Sequence, residues 1–137
     1  MNIVPRSGWA RAEPRNRMRG RVAGYNRDGW VLHWPGPLSP LAASGRYEDE
    51  LESYRYYHQH HKGWLFLAYN FAVSPDGTVY EGRGWTFQNA ANSGANSTTY
   101  SLLFLGTGQF VGGEMPPRPA AISAARELIA LQPGDGR

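Results

Sequence analysis

Two residues with hydrolytic potential sit at the ends of short apolar runs. His33 closes Val31-Leu32-His33, and Tyr69 begins, about 36 residues later, the run Tyr69-Asn70-Phe71-Ala72-Val73. An imidazole presented at a strand end, facing a phenol on a neighbouring strand, suits the corner of a zinc hydrolase, because neutral imidazole ligates the metal. By residue type alone, His33 reads more readily as a satisfied core histidine, and Tyr69 as a buried strand tyrosine. His58-x-His60-His61 places His58 and His61 on one helix face, but no third partner lies at ligand spacing, and Tyr56 and Tyr57 point to packing. Glu81 is a carboxylate ligand or base, or more simply a strand-end residue orienting Arg83. Arg83 pairs either with a ligand carboxylate or with a structural acid. Asn89, Asn92 and Asn96 offer the adaptable hydrogen bonding that sugars need, and are equally ordinary loop residues.

These side chains need a scaffold, and the periodicity supplies one. Residues 29–33 form a short strand stopped by Trp34-Pro35-Gly36-Pro37, with loop over 36–45. From about Arg46 to His61 the spacing of Leu51, Tyr54, His58 and His61 predicts a helix, with acids in its first turns and Gly63 after its end. Residues 68–74 and 78–81 make a hairpin around Pro75-Asp76-Gly77. Residues 100–105 form a buried strand, 112–119 a proline-rich loop, and 120–131 a helix with Ile122, Ala125, Leu128 and Ile129 inward. Residues 1–27 read as irregular, broken by Pro5, Gly8, Pro14, Gly20 and Gly24. The order β, α, β-hairpin, β, α predicts an α/β domain: a single mixed β-sheet flanked by helices. The division expected is a basic arm over 1–27 and the folded domain over 28–137.

With 137 residues and 41% apolar content, the chain buries one core. Its lack of cysteine excludes disulfides, thiol nucleophiles and cysteine-ligated zinc, so any metal falls to His, Asp or Glu. The net charge of +3 conceals a division: residues 1–27 hold seven arginines and one acid, Glu13, whereas the remainder is acidic by three charges. A basic arm favours polyanions, either nucleic acid or an anionic bacterial wall, although a merely solvated arginine-rich segment fits as well. Nucleic acid is not the expected partner, because no groove-reading element or base-flanked aromatic platform accompanies the arm. No apolar stretch approaches the ~20 residues of a membrane span. Met1-Asn2-Ile3-Val4-Pro5-Arg6 opens no signal-peptide core, so the expected location is the cytoplasm of the producing cell, with action on the cell wall after release.

Gly63-Trp64-x-x-x-Ala68-Tyr69-Asn70-Phe71, followed by Asp76-Gly77-x-Val79-Tyr80-Glu81-Gly82-Arg83-Gly84-Trp85, resembles the type 2 zinc N-acetylmuramoyl-L-alanine amidases and the related peptidoglycan recognition proteins. Val31-Leu32-His33, His58 and Leu103-Phe104-Leu105-Gly106 extend the likeness from Trp9 to about Leu131. The Leu32-His33-Trp34-Pro35-Gly36 form is most similar to endolysins of phages that infect actinobacteria. The resemblance implies hydrolysis of the N-acetylmuramoyl-L-alanine bond of peptidoglycan, with zinc as cofactor. It makes His33 the first zinc ligand and Tyr69 the catalytic residue beside the metal. It implies that His58, Trp64, Asn70, Arg83, Gly84, Trp85 and Asn92 bind substrate, the Gly84-Trp85 pair being the version associated with diaminopimelate-type stem peptides.

The sequence also departs from that pattern. The family's other zinc ligands, a His and a Cys or Asp, lie in a C-terminal segment, whereas this sequence has no His after His61 and ends at Gln132-Pro133-Gly134-Asp135-Gly136-Arg137. Apolar Leu65-Phe66-Leu67 replaces the usual acid after Trp64, and Ala91-Asn92 stands where many members have Ala-His. One imidazole does not hold catalytic zinc, which needs three protein ligands and an open position. The expectation is a truncated amidase with an incomplete ligand set, with a non-catalytic peptidoglycan-binding module as the alternative.

Overall fold

The computed structural model describes residues 1–20 and 29–133, with side chains to Met18 in the first stretch. Arg21 and Arg27 of the arm, the side chain of Arg19 and residues 134–137 lie outside the described residues. The sheet has five strands: β1 (Ile3–Val4), β2 (Gly29–His33), β3 (Phe71–Val73), β4 (Val79–Glu81) and β5 (Thr99–Phe104). Their spatial order is β1-β4-β3-β5-β2, antiparallel only between β3 and β4, so the sheet is mixed as expected. The β3–β4 turn is locked by Asp76, whose carboxylate accepts from Ser74 Oγ and from the Thr78 amide.

Helices cover both faces. After a short α1 (Pro40–Ala43), α2 (Tyr47–His60) packs Leu51 with Phe66, Leu67, Ala72, Leu103 and Leu105. On the other face α3 (Pro119–Ala130) sets Ala121, Ala124, Ala125 and Leu128 against Phe71, Val73, Val79, Leu102 and Phe104. Ala125 and Leu128 face inward as expected, but Ala121 and Ala124 complete the face in place of Ile122 and Ile129, leaving Ile122 exposed: small alanines let the helix approach the sheet more closely than isoleucine would permit. A hairpin that local composition did not reveal, β6 (Gly108–Phe110) and β7 (Gly113–Met115), places its second strand inside the stretch read as a proline-rich loop.

The inner face of α2 differs most from expectation. It buries Glu50, Glu52, Arg55 and Gln59 beside Leu51, while His61 is exposed. Arg55 makes a two-pronged pair with Glu52 (2.7 and 2.6 Å) and donates to Gln59 Oε1 at 2.6 Å. Burial alone would raise the Glu52 carboxyl, but hydrogen bonds from Arg55 and from the Arg11 amide hold it below the usual range. Buried charges persist only when paired and hydrogen-bonded, and here the pairing reaches the arm. Arg11 N donates to Glu52 (2.9 Å) and Gln59 Nε2 to the Glu13 carbonyl (3.2 Å), while Arg15 donates to the carbonyls of Gln59 and Gly63.

The reading of residues 1–27 as irregular is therefore corrected for the described part. β1 adds a strand beside β4, 3₁₀ turns occupy Arg6–Gly8 and Asn16–Gly20, and Trp9 and Met18 enter the core. Glu81 contributes to this anchoring. It accepts from the Arg6 amide at 3.0 Å and pairs with its guanidinium. No helix among the described residues is long and apolar enough to cross a membrane.

Candidate functional site

β2 and β5 are in register with His33 beside Leu103, whose side chain belongs to the α2-facing cluster, so the imidazole emerges on that side at the strand's end. Tyr69, just before β3, stands next to it with ring centroids 5.3 Å apart. Beyond Tyr69, at 6.0 Å, lies His58 from α2, and Trp64 packs on His58 at 4.9 Å. His33, Tyr69, His58 and Trp64 thus form a continuous, half-buried wall contributed by three separate chain segments.

Hydrogen bonds fix how each ring is presented. The Ala68 amide donates to His58 Nδ1 at 3.0 Å, so the neutral ring carries its proton on Nε2. Burial pushes His58 down to about 4, helped by the positive charges of Arg83 and Lys62. Its contribution to stability is accordingly complete above about pH 6.5 and is lost as the pH falls towards 4, where the unfolded chain takes up a proton that the folded ring refuses. Urea unfolding is expected to show a loss of ~1–3 kcal/mol across that window. His58→Gln should flatten that slope, and an unchanged slope would remove His58 as its source. Burial also raises the Tyr69 phenol, keeping it protonated and available as a donor at neutral pH.

His33 is held by Asn92, whose Oδ1 lies 2.7 Å from His33 Nε2. Asn92 Nδ2 donates to Thr99 Oγ1 (2.9 Å) and to the Tyr100 carbonyl (3.2 Å), and Thr99 Oγ1 passes its own proton to the Ala95 carbonyl. These bonds leave Oδ1 as the acceptor, so His33 Nε2 carries a proton and only Nδ1 keeps a lone pair. Zinc requires three protein ligands, and the described residues contain no group of three His, Asp or Glu placed to share a metal ion. These residues do not fit the zinc site that the resemblance implies.

Several residues read as substrate-binding have other tasks. Asn70 is fully buried: its Nδ2 donates to the carbonyls of Gly84 and Phe87, both at 2.9 Å, and its Oδ1 accepts from the Ser101 amide at 2.9 Å. Arg83 is buried as well, donating to the carbonyls of Leu67 (2.8 Å), Gln88 and Phe66 (both 3.3 Å). Both stitch the loop after β4 to the strand ends, because buried carbonyls demand donors. Gly84 supplies a left-handed turn (φ 72°) whose carbonyl Asn70 holds. Trp85 packs on Phe71, Trp30 and Tyr100 in the α3-facing cluster, away from the His33–Tyr69 side. Asn92 is a positioning residue for His33. His33, Tyr69, His58 and Trp64 are the predicted residues brought together.

Two clefts border this region. One of about 250 Å³ lies beside Trp64, lined also by Arg17, Arg83, Asn89 and Asn96. A larger one of about 460 Å³ lies under the arm, but its walls are largely arm residues and it contains none of the four rings. Sequence reasoning missed the contribution of Arg17, because the arm's path over the loop at 63–65 is visible only in three dimensions.

The mixed sheet between helices, with its wall of rings at the strand ends, matches solved structures of peptidoglycan recognition proteins in fold. The model of the family described as N-acetylmuramoyl-L-alanine amidase matches residues 26–132, and the chain belongs to that family. It is 43% identical over 77 residues to peptidoglycan recognition protein 3 of Mus musculus, covering 55% of this chain and 21% of that protein. It is 38% identical over 136 residues to human peptidoglycan recognition protein 4, covering 93% and 32%. The chain thus spans about a fifth to a third of the length of these relatives. A crystal structure of peptidoglycan recognition protein-LE in complex with tracheal cytotoxin, a monomeric diaminopimelic acid-type peptidoglycan, superposes with a TM-score of 0.74 at 27% identity. That match covers 97% of this chain and 75% of the other.

Proposed function

We propose that this domain binds peptidoglycan fragments in the groove walled by His33, Tyr69, His58 and Trp64. The observation that carries this reading is the continuous row of rings, with spacings of 5.3, 6.0 and 4.9 Å, ending beside the cleft that Trp64 shares with Asn89 and Asn96. Rings present flat apolar faces to sugar C–H groups, while the Tyr69 hydroxyl and the His58 Nε2–H donate to carbonyls of a lactyl-peptide stem. The complex formed by peptidoglycan recognition protein-LE supports a muropeptide ligand of the diaminopimelate type.

The second reading is the family's reaction, amide hydrolysis between N-acetylmuramic acid and L-alanine in an endolysin-like setting after release to the wall. Family membership and the placement of Tyr69 beside His33 favour it. Zinc would supply an activated water, but His33 alone among the four rings matches a ligand position, and binding is the function this chain's residues support best.

Sedimentation with purified diaminopimelate-type sacculi tests the proposal. The protein should pellet with sacculi in the presence of EDTA, and Trp64→Ala should weaken this by roughly 10- to 100-fold through loss of ~1–3 kcal/mol of ring contact. Failure of the unsubstituted protein to pellet overturns the binding reading. Release of stem peptide from the sacculi, abolished by EDTA, would establish the hydrolytic one.

A further inference from the structure

The row of rings has a second end. Trp34 follows His33, the ring farthest along the row from Trp64, and is the only exposed tryptophan among the described residues, at 59%. An indole left in water is a large apolar surface without an occupant. The chain nevertheless holds this one in place. The Gln109 amide donates to the Gly36 carbonyl (2.6 Å) and the Leu38 amide to the Gln109 carbonyl (2.8 Å), so β6 pins the loop that carries Trp34. Antiparallel pairing then sets β7 beside β6, with Gly108 opposite Met115 and Gln109 opposite Glu114. Between this loop and the hairpin lies a cavity of about 60 Å³, lined by Trp34, Met115, Pro116 and Pro117 together with Gln109 and Glu114. The last two stand directly across the hairpin from each other, so their side chains share a face. Neither side chain has a hydrogen-bond partner among the described residues.

We infer that this cavity is an acetamido subsite, receiving the N-acetyl group of the sugar that carries the stem peptide. This rests on the peptidoglycan-binding reading and adds the element that selects an N-acetylated sugar. Size and chemistry both point to that group. The cavity is well under the ~150 Å³ that accommodates a benzene ring, so it takes a short substituent and not a whole sugar or an aromatic side chain. An acetamido group has one methyl, one N–H and one carbonyl. The methyl rests on the indole and the prolines, the Gln109 amide donates to the carbonyl, and the Glu114 carboxylate accepts from the N–H. A mostly apolar pocket with a donor and an acceptor of fixed spacing rejects a substituent that leaves them unpaired. The sugar then lies at the His33 end of the groove, and the stem runs past Tyr69 and His58 towards Trp64.

Titration calorimetry with two soluble probes of equal charge tests this: an N-acetylmuramyl peptide, and the same glycopeptide with a hydroxyl in place of the acetamido group. The unsubstituted protein should bind the acetamido probe roughly tenfold more tightly. Trp34→Ala should remove most of that preference while leaving affinity for the hydroxyl probe and the melting temperature unchanged. Trp34→Phe should restore part of it, and Glu114→Ala should reduce it. Equal affinity of the unsubstituted protein for the two probes, or a preference that survives both Trp34→Ala and Glu114→Ala, overturns the acetamido subsite while leaving the groove intact. Binding of neither probe overturns the groove reading as well.

Discussion

Replacing Asn70 by alanine is expected to destabilise the domain by about 4 kcal/mol, among the larger effects available to one substitution. The side chain is fully buried and satisfies three backbone groups from two segments: the carbonyls of Gly84 and Phe87 and the amide of Ser101. Removing it strands those groups without water, at ~1–3 kcal/mol each, and relaxation recovers only part of that cost. Thermal melting followed by circular dichroism should fall by roughly 15 °C. Asn70→Asp should not rescue, because a carboxylate would face two carbonyl oxygens with nothing to donate. A melting temperature within about 3 °C of the parent's would show that these bonds are not what holds the loop.

Gly82→Ala is expected to damage stability and ligand binding together. A Cβ at this position would lie well inside contact distance of the Tyr69 carbonyl oxygen, 3.1 Å from that of Asn70 and 3.2 Å from Leu67 Cδ2. The backbone must then separate where Gly82 N donates to Asn70 (2.8 Å) and Arg83 N to Tyr69 (2.9 Å). Overpacking of this kind costs about 2–4 kcal/mol, because the two nearest obstructing atoms, the Tyr69 and Asn70 carbonyl oxygens, are main chain and cannot change rotamer. The same bonds set where the Tyr69 ring stands beside His33, so muropeptide affinity should drop at least tenfold. Gly29→Ala, where an added Cβ meets nothing within 4 Å, serves as the control and should be close to neutral. Urea unfolding and titration calorimetry on the two variants separate these outcomes. A Gly82→Ala protein as stable and as tight-binding as the Gly29→Ala control would remove the steric account.

The first effect concerns a residue that the resemblance marks for ligand contact and that the fold also uses to hold its own backbone. Asn70, Arg83 and Gly84 sit in the stretch most similar to the amidases, which invites a ligand-contact role. In the structure they hold buried carbonyls or turn the chain, because a loop crossing strand ends must satisfy its own backbone before it can present anything. Tyr69 and Trp64 are in the same stretch, yet their rings reach the groove. Alternation along the chain cannot distinguish the two groups, since neither lies within a regular strand.

Local pattern was enough for the elements that depend on near neighbours. The strand at His33, the helix through His58, the hairpin around Asp76-Gly77 and the strand before Gly106 follow from apolar spacing and turn chemistry, and with them the mixed sheet between helices. Tertiary structure alone decided the rest. It buried the charged face of α2, because Glu52 and Gln59 find partners in the arm, 41 and 46 residues away, and Arg55 pairs with both of them on the helix. It gave His33 to Asn92, 59 residues distant, which fixes the tautomer and leaves one lone pair on that ring. Hydrogen-bond partners far apart in sequence leave no period to read, so the helices were legible and the state of the imidazole was not.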